Sequence, residues 1–331
     1  MHCCASQRTR SHCPVMAGAG MMPVPVLRWR GIFRLFVVPF LFFRAIRLPA
    51  TMTADVPASQ PFIPRVLSIA GTDPTGGAGI HADLKSIAAN RGYGMAVVTA
   101  LVAQNTQGVR CVHIPPLAFL REQLDAVSDD VQIDAIKIGM LGNADIIGVV
   151  HDWLAQHRAP VVVLDPVMVA TSGDRLLDAA AEDALRSLLS CADLITPNIP
   201  ELAVLARQPM ATDWQAVLAQ AGQVAQRHGI QVLAKGGHLQ GDWAPDALVA
   251  PDGRVQEFPG KRVHTPHTHG TGCSYSSALA TLQPQTGDWA QSVAQAKQWL
   301  TRSIADAYTL SVGRGHGPIS HFAALWEHAD F

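Results

Sequence analysis

Short apolar runs alternate with helical segments over most of this chain, and this alternation restricts the fold more than any other feature. The runs at 65–70, 161–164 and 194–196 are rich in Val, Leu and Ile, which is typical of strands buried on both faces of a sheet. Segments with apolar residues at helical spacing separate them. Strands and helices that alternate in this way form a mostly parallel sheet with helices on both faces. The sequence therefore predicts one α/β domain over residues 62–331.

The same pattern gives bounds for the individual elements. The predicted strands cover residues 65–70, 95–102, 109–114, 135–139, 161–164, 194–196 and 231–233, with a hairpin at 247–258 around Asp252-Gly253. The predicted helices cover residues 80–89, 117–127, 144–156, 179–189, 214–227, 274–282, 290–309 and 319–328, and a further short helix begins after Asn198.

Residues 1–61 differ in composition from the rest of the chain. Residues 1–50 carry seven arginines and no acidic residue, which leaves 18 Lys and Arg against 26 Asp and Glu in the remainder, a net charge of −8. The apolar run at 35–43 is too short to span a bilayer, and arginines flank it. We therefore expect a disordered leader, or an over-extended start with translation beginning at Met52, rather than a membrane or targeting segment.

The acidic balance after residue 50 gives no basic surface for nucleic acid. Three widely spaced cysteines in this part, Cys111, Cys191 and Cys273, are typical of free thiols in a reducing compartment. We expect a cytoplasmic protein that binds neither nucleic acid nor membrane.

The run from His267 to Cys273 places alternating glycines just before a helix of small residues. The N–H groups at a helix start have no partner within the helix, so the amides of Gly270, Thr271, Gly272 and Cys273 are suited to hold a phosphate. A thiol at this place has a lowered pKa, which predicts that Cys273 forms a thiolate able to act as a base. The alternative is an ordinary helix cap.

Other polar residues follow predicted strands. A glycine-rich loop, 71–79, follows the first strand; it fits the dinucleotide-binding fingerprint only weakly, because no acidic residue stands about 20 positions later. Asp165 follows the strand 161–164 and is suited to a cation. Asn198 and Glu201 bracket a helix start, either as a cap or as ligands of hydrated Mg²⁺. Lys235 can reach a phosphate or lie on the surface.

These segments together resemble the hydroxymethylpyrimidine/phosphomethylpyrimidine kinases of thiamine biosynthesis, members of the ribokinase-like superfamily. The matching segments, in chain order, are 71–79, Ala103-Gln104-Asn105-Thr106, 137–141, Asp165-Pro166-Val167-Met168, 196–201, 235–238 and 268–273. The resemblance implies a three-layer α/β/α fold and a homodimer. It also implies transfer of the ATP γ-phosphate to 4-amino-5-hydroxymethyl-2-methylpyrimidine, and then a second phosphorylation that gives the diphosphate.

The resemblance also assigns roles to the polar residues. Cys273 accepts or positions the substrate hydroxyl proton, where many superfamily relatives have an aspartate. The amides of Gly270, Thr271 and Gly272 stabilise the transferring phosphoryl group, and Lys235 binds phosphate. The remaining expectation is an ATP-bound Mg²⁺ held largely through water by Asp165, Asn198 and Glu201.

A glutamine side chain has a donor and an acceptor that can pair with an aminopyrimidine edge, so we predict that Gln104 recognises the substrate ring. Met140 and Val167 are expected to form apolar walls, and Gly71 and Asp73 to line the adjoining loop. A buried structural role is the alternative for Gln104.

Three alternatives to this function remain at this stage. A pyridoxal kinase would act on another flat heterocycle with a hydroxymethyl group. A zinc protein would use His264, His267, His269 and Cys273 as ligands. A sensor with this fold would bind the pyrimidine without turnover.

Overall fold

The computed structural model describes residues 62–168 and 179–327. The strands in these two ranges are β1 (Arg65–Ala70), β2 (Tyr93–Val98), β3 (Leu101–Asn105), β4 (Gly108–His113), β5 (Ala135–Ile138), β6 (Val161–Leu164), β7 (Leu194–Ile195), β8 (Gln231–Lys235), β9 (Asp246–Val249) and β10 (Val255–Phe258). The α-helices are α1 (Gly79–Ala89), α2 (Leu117–Ser128), α3 (Ala144–Leu154), α4 (Ala179–Leu188), α5 (Ile199–Ala206), α6 (Trp214–His228), α7 (Thr271–Thr286), α8 (Trp289–Ala305) and α9 (Ala323–Trp326). The predicted leader, 1–61, and the proposed start at Met52 lie outside the described residues.

Eight strands form one sheet in the order β10-β9-β8-β7-β6-β5-β1-β2. The pairings from β2 to β8 are parallel, and β9 and β10 add two antiparallel strands at one edge. Helices α1, α7 and α8 pack together on one face, and the series α2 to α6 packs on the other. The predicted three-layer α/β/α fold with a mostly parallel sheet is therefore confirmed.

Strand side chains alternate between two buried cores. In β6, Val162 and Leu164 pack in the core under α2 to α6, whereas Val163 packs against α7. Strand β1 follows the same rule, with Leu67 and Ile69 on one side and Val66 on the other. Because both faces are covered, apolar residues occupy consecutive positions, which explains the continuous runs in the sequence.

The predicted strand at 95–102 is wrong as a single element. The chain leaves the sheet after Val98, where Thr99 N–H donates to the Ala70 carbonyl and the Thr99 hydroxyl donates to the Met140 carbonyl. Strand β3 begins at Leu101 and pairs with β4 in a separate two-stranded sheet. Apolar periodicity continues through the break, so the sequence pattern alone does not reveal it.

Three predicted helix bounds also need correction. Helix α7 is longer than the predicted 274–282, because it is bounded by two left-handed glycines, Gly270 and Gly287. Helix α8 ends at Ala305 rather than at residue 309, and a 3-10 turn follows. Of the predicted helix 319–328, the described part forms only the single turn α9. No helix in the described ranges is both long and apolar enough to cross a membrane.

A buried ion pair joins the sheet to the helices on the α7 face. The Lys137 ammonium donates to both oxygens of Asp83 at 2.8 Å, and both side chains are fully buried. The hydroxyls of Ser68 and Ser277 donate to the same carboxylate at 2.6 and 2.9 Å. Burial opposes the charged ammonium, but Asp83 more than compensates and raises the pKa of Lys137. This network connects β1, β5, α1 and α7 through one carboxylate.

We expect Lys137→Met to lower the free energy of unfolding by about 3–5 kcal/mol, because it leaves the Asp83 carboxylate buried without its counter-charge. Urea unfolding followed by circular dichroism measures the change. The matched control is Arg121→Met, which breaks an exposed pair with Asp125 on α2 and should cost less than about 1 kcal/mol. Equal losses in the two variants would contradict the structural role of the buried pair.

Candidate active site

A cleft of about 760 Å³ opens at the carboxyl ends of the parallel strands, where α/β proteins bind ligands. It brings together nearly all the site residues predicted from the sequence. Those that line it are Gly71, Gln104, Met140, Asp165, Val167, Asn198, Glu201, Lys235, Gly270, Thr271, Gly272 and Cys273. Asp73 is the exception.

The first turn of α7 forms the floor of the cleft. Gly270 is its N-cap, with a left-handed φ of 76°. A Cβ on Gly270 would overlap the Gly77 carbonyl oxygen, so only glycine lets the two glycine-rich loops pack together here. Because α7 begins at Thr271, the first-turn N–H groups have no acceptor within the helix. The floor is therefore suited to an anion.

A second buried ion pair lies against this turn. Lys235, at the end of β8, donates to Asp165 Oδ1 at 3.0 Å, and the Thr196 hydroxyl donates to the same oxygen at 2.8 Å. A Cβ on Gly272 would lie 3.2 Å from Asp165 Oδ2 and 3.4 Å from Lys235 Nζ. Burial opposes the charge on Lys235, but Asp165 holds its pKa above the usual value. Lys235 is thus a fixed cation beside the helix start, not a surface lysine.

Asn198 and Glu201 form a capping box at the start of α5. The Asn198 side chain accepts from Glu201 N–H, and the Glu201 carboxylate accepts from Asn198 N–H, both at 2.9 Å. The capping interpretation is confirmed. Both residues also line the cleft. Burial, assisted by the neighbouring Asp165 carboxylate, raises the pKa of Glu201 to about 7 against the opposing effect of Lys235.

Cys273 lies in the first turn of α7 as predicted, but its chemistry differs from the prediction. The N–H of Gly79, at the start of α1, acts to lower the pKa of its thiol. Burial raises the pKa of the Cys273 thiol to about 11, although Lys137 acts in the opposite direction. The prediction of a lowered thiol pKa is therefore wrong, because the cost of burying the thiolate exceeds the stabilisation from the helix start and Lys137. At neutral pH the group is a thiol.

Asp73 does not face the cleft. Its carboxylate is fully buried and accepts from the N–H groups of Thr75, Gly77 and Ala78 within its own loop. His269 Nε2 lies 2.8 Å from Asp73 Oδ2, which ties this loop to the residue before Gly270. Burial opposes ionisation, but these hydrogen bonds keep the pKa of Asp73 below its usual value. The structure places Asp73 as an organiser of the two loops, not as a wall of the cleft.

The predicted ring-binding residues Gln104, Met140 and Val167 all line the cleft. Gln104 is half-buried near the end of β3, at a register shift in the β3–β4 pairing. Met140 packs over Gly71, with its sulfur 3.4 Å from the position of a Cβ there, and Val167 lies on the adjoining wall. One polar side chain thus stands among apolar surfaces.

Sequence reasoning missed the other end of the cleft. Arg262 donates to the carbonyls of Gly237, Gly241 and Leu239 at 2.5–2.7 Å and so shapes the loop after β8. Lys297 donates to Asp246 at 2.7 Å beneath this loop. Apolar side chains of α8, Leu300 and Ile304, line the same end. Neither Arg262 nor Lys297 belongs to a glycine-rich segment, and no local pattern in the sequence marks them.

The donors present fit Mg²⁺ better than zinc. Asp165 and Glu201 place two carboxyl groups close enough for one to raise the pKa of the other, and a cation would relieve this repulsion. Mg²⁺ prefers such oxygen ligands together with water and phosphate. Among residues 62–168 and 179–327, no three His, Cys, Asp or Glu side chains are arranged to hold a metal. His264 and His269 lie beside Asp242 and Asp73 instead.

Known proteins are similar to this chain in both sequence and architecture. The profile of the family described as phosphomethylpyrimidine kinase matches residues 73–320. The chain is 49% identical over 261 residues to a hydroxymethylpyrimidine/phosphomethylpyrimidine kinase of Salmonella typhimurium, a match that covers 78% of this chain and 98% of that protein. It is 55% identical over 263 residues to the thiamine biosynthesis multifunctional protein ThiED of Corynebacterium glutamicum. That match covers 80% of this chain but spans only 34% of the larger protein.

A solved structure adds evidence for the fold. A Bacillus subtilis pyridoxal kinase, determined as an ADP complex, superimposes with a TM-score of 0.74 at 29% identity, covering 80% of this chain and 99% of that one. The superposition extends over nearly the whole length of the solved chain. Together with the family profile and the sequence identities, it shows that this chain belongs to the phosphomethylpyrimidine kinase family, a family of phosphotransferases with the ribokinase-like fold.

Proposed function

We propose that this protein transfers the γ-phosphate of ATP to the hydroxymethyl group of 4-amino-5-hydroxymethyl-2-methylpyrimidine, and then phosphorylates the monophosphate to the diphosphate for thiamine biosynthesis. The observation that carries the proposal is one cleft in which Gln104 faces the same space as Cys273 and the first turn of α7. This reaction needs a side chain that binds the pyrimidine ring, a thiol oriented toward the hydroxyl group, and a site that binds the phosphoryl group. The relationship to the Salmonella typhimurium kinase supports the choice of substrate.

Ring binding orients the substrate. The Gln104 amide can donate to a ring nitrogen and accept from the exocyclic amine of an aminopyrimidine. Met140 and Val167 cover the ring faces, which excludes water from these hydrogen bonds and strengthens them. The hydroxymethyl group then extends toward Cys273.

The first turn of α7 stabilises the charge of the transferring phosphoryl group. The N–H groups of Gly272 and Cys273 are fixed before the reaction begins, so they need no reorganisation as charge develops. Thr271 N–H donates to the Thr268 carbonyl at 3.3 Å and would share this bond with a phosphoryl oxygen. Lys235 adds a full positive charge beside Gly272, held in place by Asp165. As the hydroxyl oxygen bonds to the γ-phosphorus, the bond to the ADP oxygen breaks, and alignment with charge neutralisation supplies most of the catalysis.

Cys273 handles the hydroxyl proton. Because burial keeps the group a thiol at neutral pH, its sulfur first accepts a hydrogen bond from the hydroxyl and orients the oxygen. The proton leaves the hydroxyl late, as expected for a loose transition state that requires little nucleophile activation, and passes to an oxygen of the transferred phosphoryl group. In molecules in which Cys273 is ionised, the thiolate takes the proton directly.

ATP and Mg²⁺ complete the proposed site. Mg²⁺ would be held largely through water by Asp165, Asn198 and Glu201, where it would neutralise phosphate charge. The purine of ATP fits the end lined by Leu300 and Ile304, under the loop that Arg262 shapes. Asn198 and Lys235 lie between that end and α7, as phosphate-binding residues should.

Two further expectations concern the protein as a whole. Cys111, Cys191 and Cys273 are free thiols in the structure, which supports a cytoplasmic location. The homodimer implied by family resemblance is part of the proposal and is tested by sedimentation.

Pyridoxal phosphorylation is the second candidate, favoured by the similarity to the Bacillus subtilis pyridoxal kinase. Purified protein beginning at Met52, with ATP and Mg²⁺, is assayed for ADP release with hydroxymethylpyrimidine or pyridoxal at equal concentration. We expect a clear preference for hydroxymethylpyrimidine, with both mono- and diphosphate products. A preference for pyridoxal would move the assignment to that substrate, and turnover with neither would favour a sensor.

Replacing Cys273 with Ala should reduce kcat by about a hundredfold, because the substrate hydroxyl loses the group that orients it and that, when ionised, receives its proton. The control is Cys191→Ala, which replaces a second half-buried thiol away from the cleft and should leave kcat unchanged.

In the free enzyme, the rate of Cys273 alkylation should rise about tenfold per pH unit from 7 to 10, because the thiolate is the reactive form. Near-normal turnover of the Ala variant, or alkylation that levels off near pH 7, would contradict these roles.

Replacing Gln104 with Leu should raise the KM for hydroxymethylpyrimidine about tenfold or more, because polar ring atoms then enter the cleft without partners. The KM for ATP should not change. Gln107→Leu, at an exposed position on the same hairpin, is the matched control. An unchanged KM for the pyrimidine in the Gln104 variant would support the alternative that this glutamine is structural.

A further inference from the structure

A segment near the C-terminus, residues 311–318, carries three glycines at alternate positions: Gly313, Gly315 and Gly317. We refer to it as the glycine strap. It lies between α8 and α9 and contributes nothing to the mechanism described above. One of its ends contacts the β3–β4 hairpin, and the other contacts the loop that precedes α7.

At the hairpin end, the strap holds Thr106. Thr106 Oγ1 accepts from the N–H groups of Arg314 at 3.2 Å and Gly315 at 3.1 Å, and the Thr106 carbonyl accepts from His316 N–H at 2.9 Å. Thr106 lies at the hairpin turn and is 8% exposed. Three hydrogen bonds therefore converge on one residue, two positions after Gln104.

The fit at Thr106 requires glycine. Gly313 has a left-handed φ of 75°, and a Cβ on it would overlap the Thr106 side chain. A Cβ on Gly315 would overlap the Thr106 carbonyl oxygen. Any larger residue at either position must push the hairpin away or displace the strap.

At its other end, the strap holds the loop before α7. The Gly317 carbonyl accepts from His269 N–H at 3.0 Å, and His269 forms a parallel bridge with Pro318. A Cβ on Gly317 would overlap the His267 ring. His269 directly precedes Gly270, the N-cap of α7, so this contact acts at the start of the anion-binding turn.

The strap thus connects the hairpin that carries Gln104, the proposed ring-binding residue, to the start of α7, the proposed phosphoryl-binding turn. The hairpin does not belong to the main sheet, so the sheet's hydrogen-bond register does not fix its position. A kinase for a small heterocyclic alcohol needs a fixed distance between the ring edge and the reacting hydroxyl, because a small misplacement of reacting groups costs a large factor in rate.

We propose that the glycine strap is a positioning element, in which Gly313 and Thr106 set the distance between Gln104 and the first turn of α7 and so tune affinity for the heterocyclic alcohol. This inference rests on the proposed function in that it takes the alcohol to be the Gln104 ligand. ATP binds at the other end of the cleft, so the strap should act on the alcohol and not on ATP.

The test compares four variants of the full chain. Gly313→Ala and Thr106→Ala should each raise the KM for hydroxymethylpyrimidine about tenfold while the KM for ATP stays within about twofold. The KM increase in the double variant should be smaller than the product of the two single increases, because Thr106→Ala removes the Oγ1 and Cγ2 atoms that the new Cβ would meet first. Gly253→Ala is the control: its φ of 87° imposes the same backbone strain at the β9–β10 turn, in open space.

Hydrogen exchange of the free protein provides a readout that needs no turnover. In Gly313→Ala, amide exchange should accelerate both in the hairpin and at 267–273, whereas Gly253→Ala should affect only its own turn. Exchange that changes at one end of the strap only, or equal KM increases for ATP and the alcohol, would overturn the inference. If wild-type protein prefers pyridoxal, the proposed function fails, and the same KM split is then expected with pyridoxal.

Discussion

The active site depends on how the first turn of α7 is held against the carboxyl ends of the strands. Two buried ion pairs support this turn: Asp165–Lys235 lies beside Gly272, and Asp83–Lys137 binds Ser277 one turn further along. Buried ion pairs contribute little net stability, but they tolerate only a narrow range of geometries, and losing one partner is costly. The position of α7 is therefore tightly specified, and with it the position of Cys273 and of the first-turn amides that we propose bind phosphate.

The charges in the cleft explain why its thiol is not ionised. Cys273 lies near two lysines, but each lysine is already paired with a carboxylate. The local charge is close to balanced, so burial decides the protonation state and keeps the thiol neutral. In the proposed mechanism, such a site gives the substrate hydroxyl a hydrogen-bond acceptor without a buried thiolate that must be stabilised when the cleft is empty. A phosphate-bound Mg²⁺ would then change the local charge around Cys273 only when nucleotide is bound.

The sequence predicted the parallel sheet and twelve of the residues that line the cleft, because buried strands and glycine-rich turns leave strong local signals. It did not predict the separation of β2 from β3, since the apolar pattern runs through the break at Thr99.

The structural roles of Asp73 and Lys137 could not be predicted from the sequence either. Asp73 lies in a glycine-rich loop, where a ligand-binding residue would be expected. Its carboxylate instead accepts hydrogen bonds from the N–H groups of that loop and lies within hydrogen-bond distance of His269. Lys137 interrupts an apolar strand, and its partner is 54 positions away. The sign of the Cys273 pKa shift depends on burial, which no spacing of residues reveals.

The most direct test is a crystal structure of the protein with Mg²⁺, a non-hydrolysable ATP analogue and hydroxymethylpyrimidine. The account predicts that the ring lies against Gln104, that the hydroxyl lies within hydrogen-bond distance of Cys273 Sγ, and that the terminal phosphate rests on the first turn of α7. A pyrimidine bound with its hydroxyl turned away from Cys273, or a terminal phosphate bound away from that turn, would contradict the account.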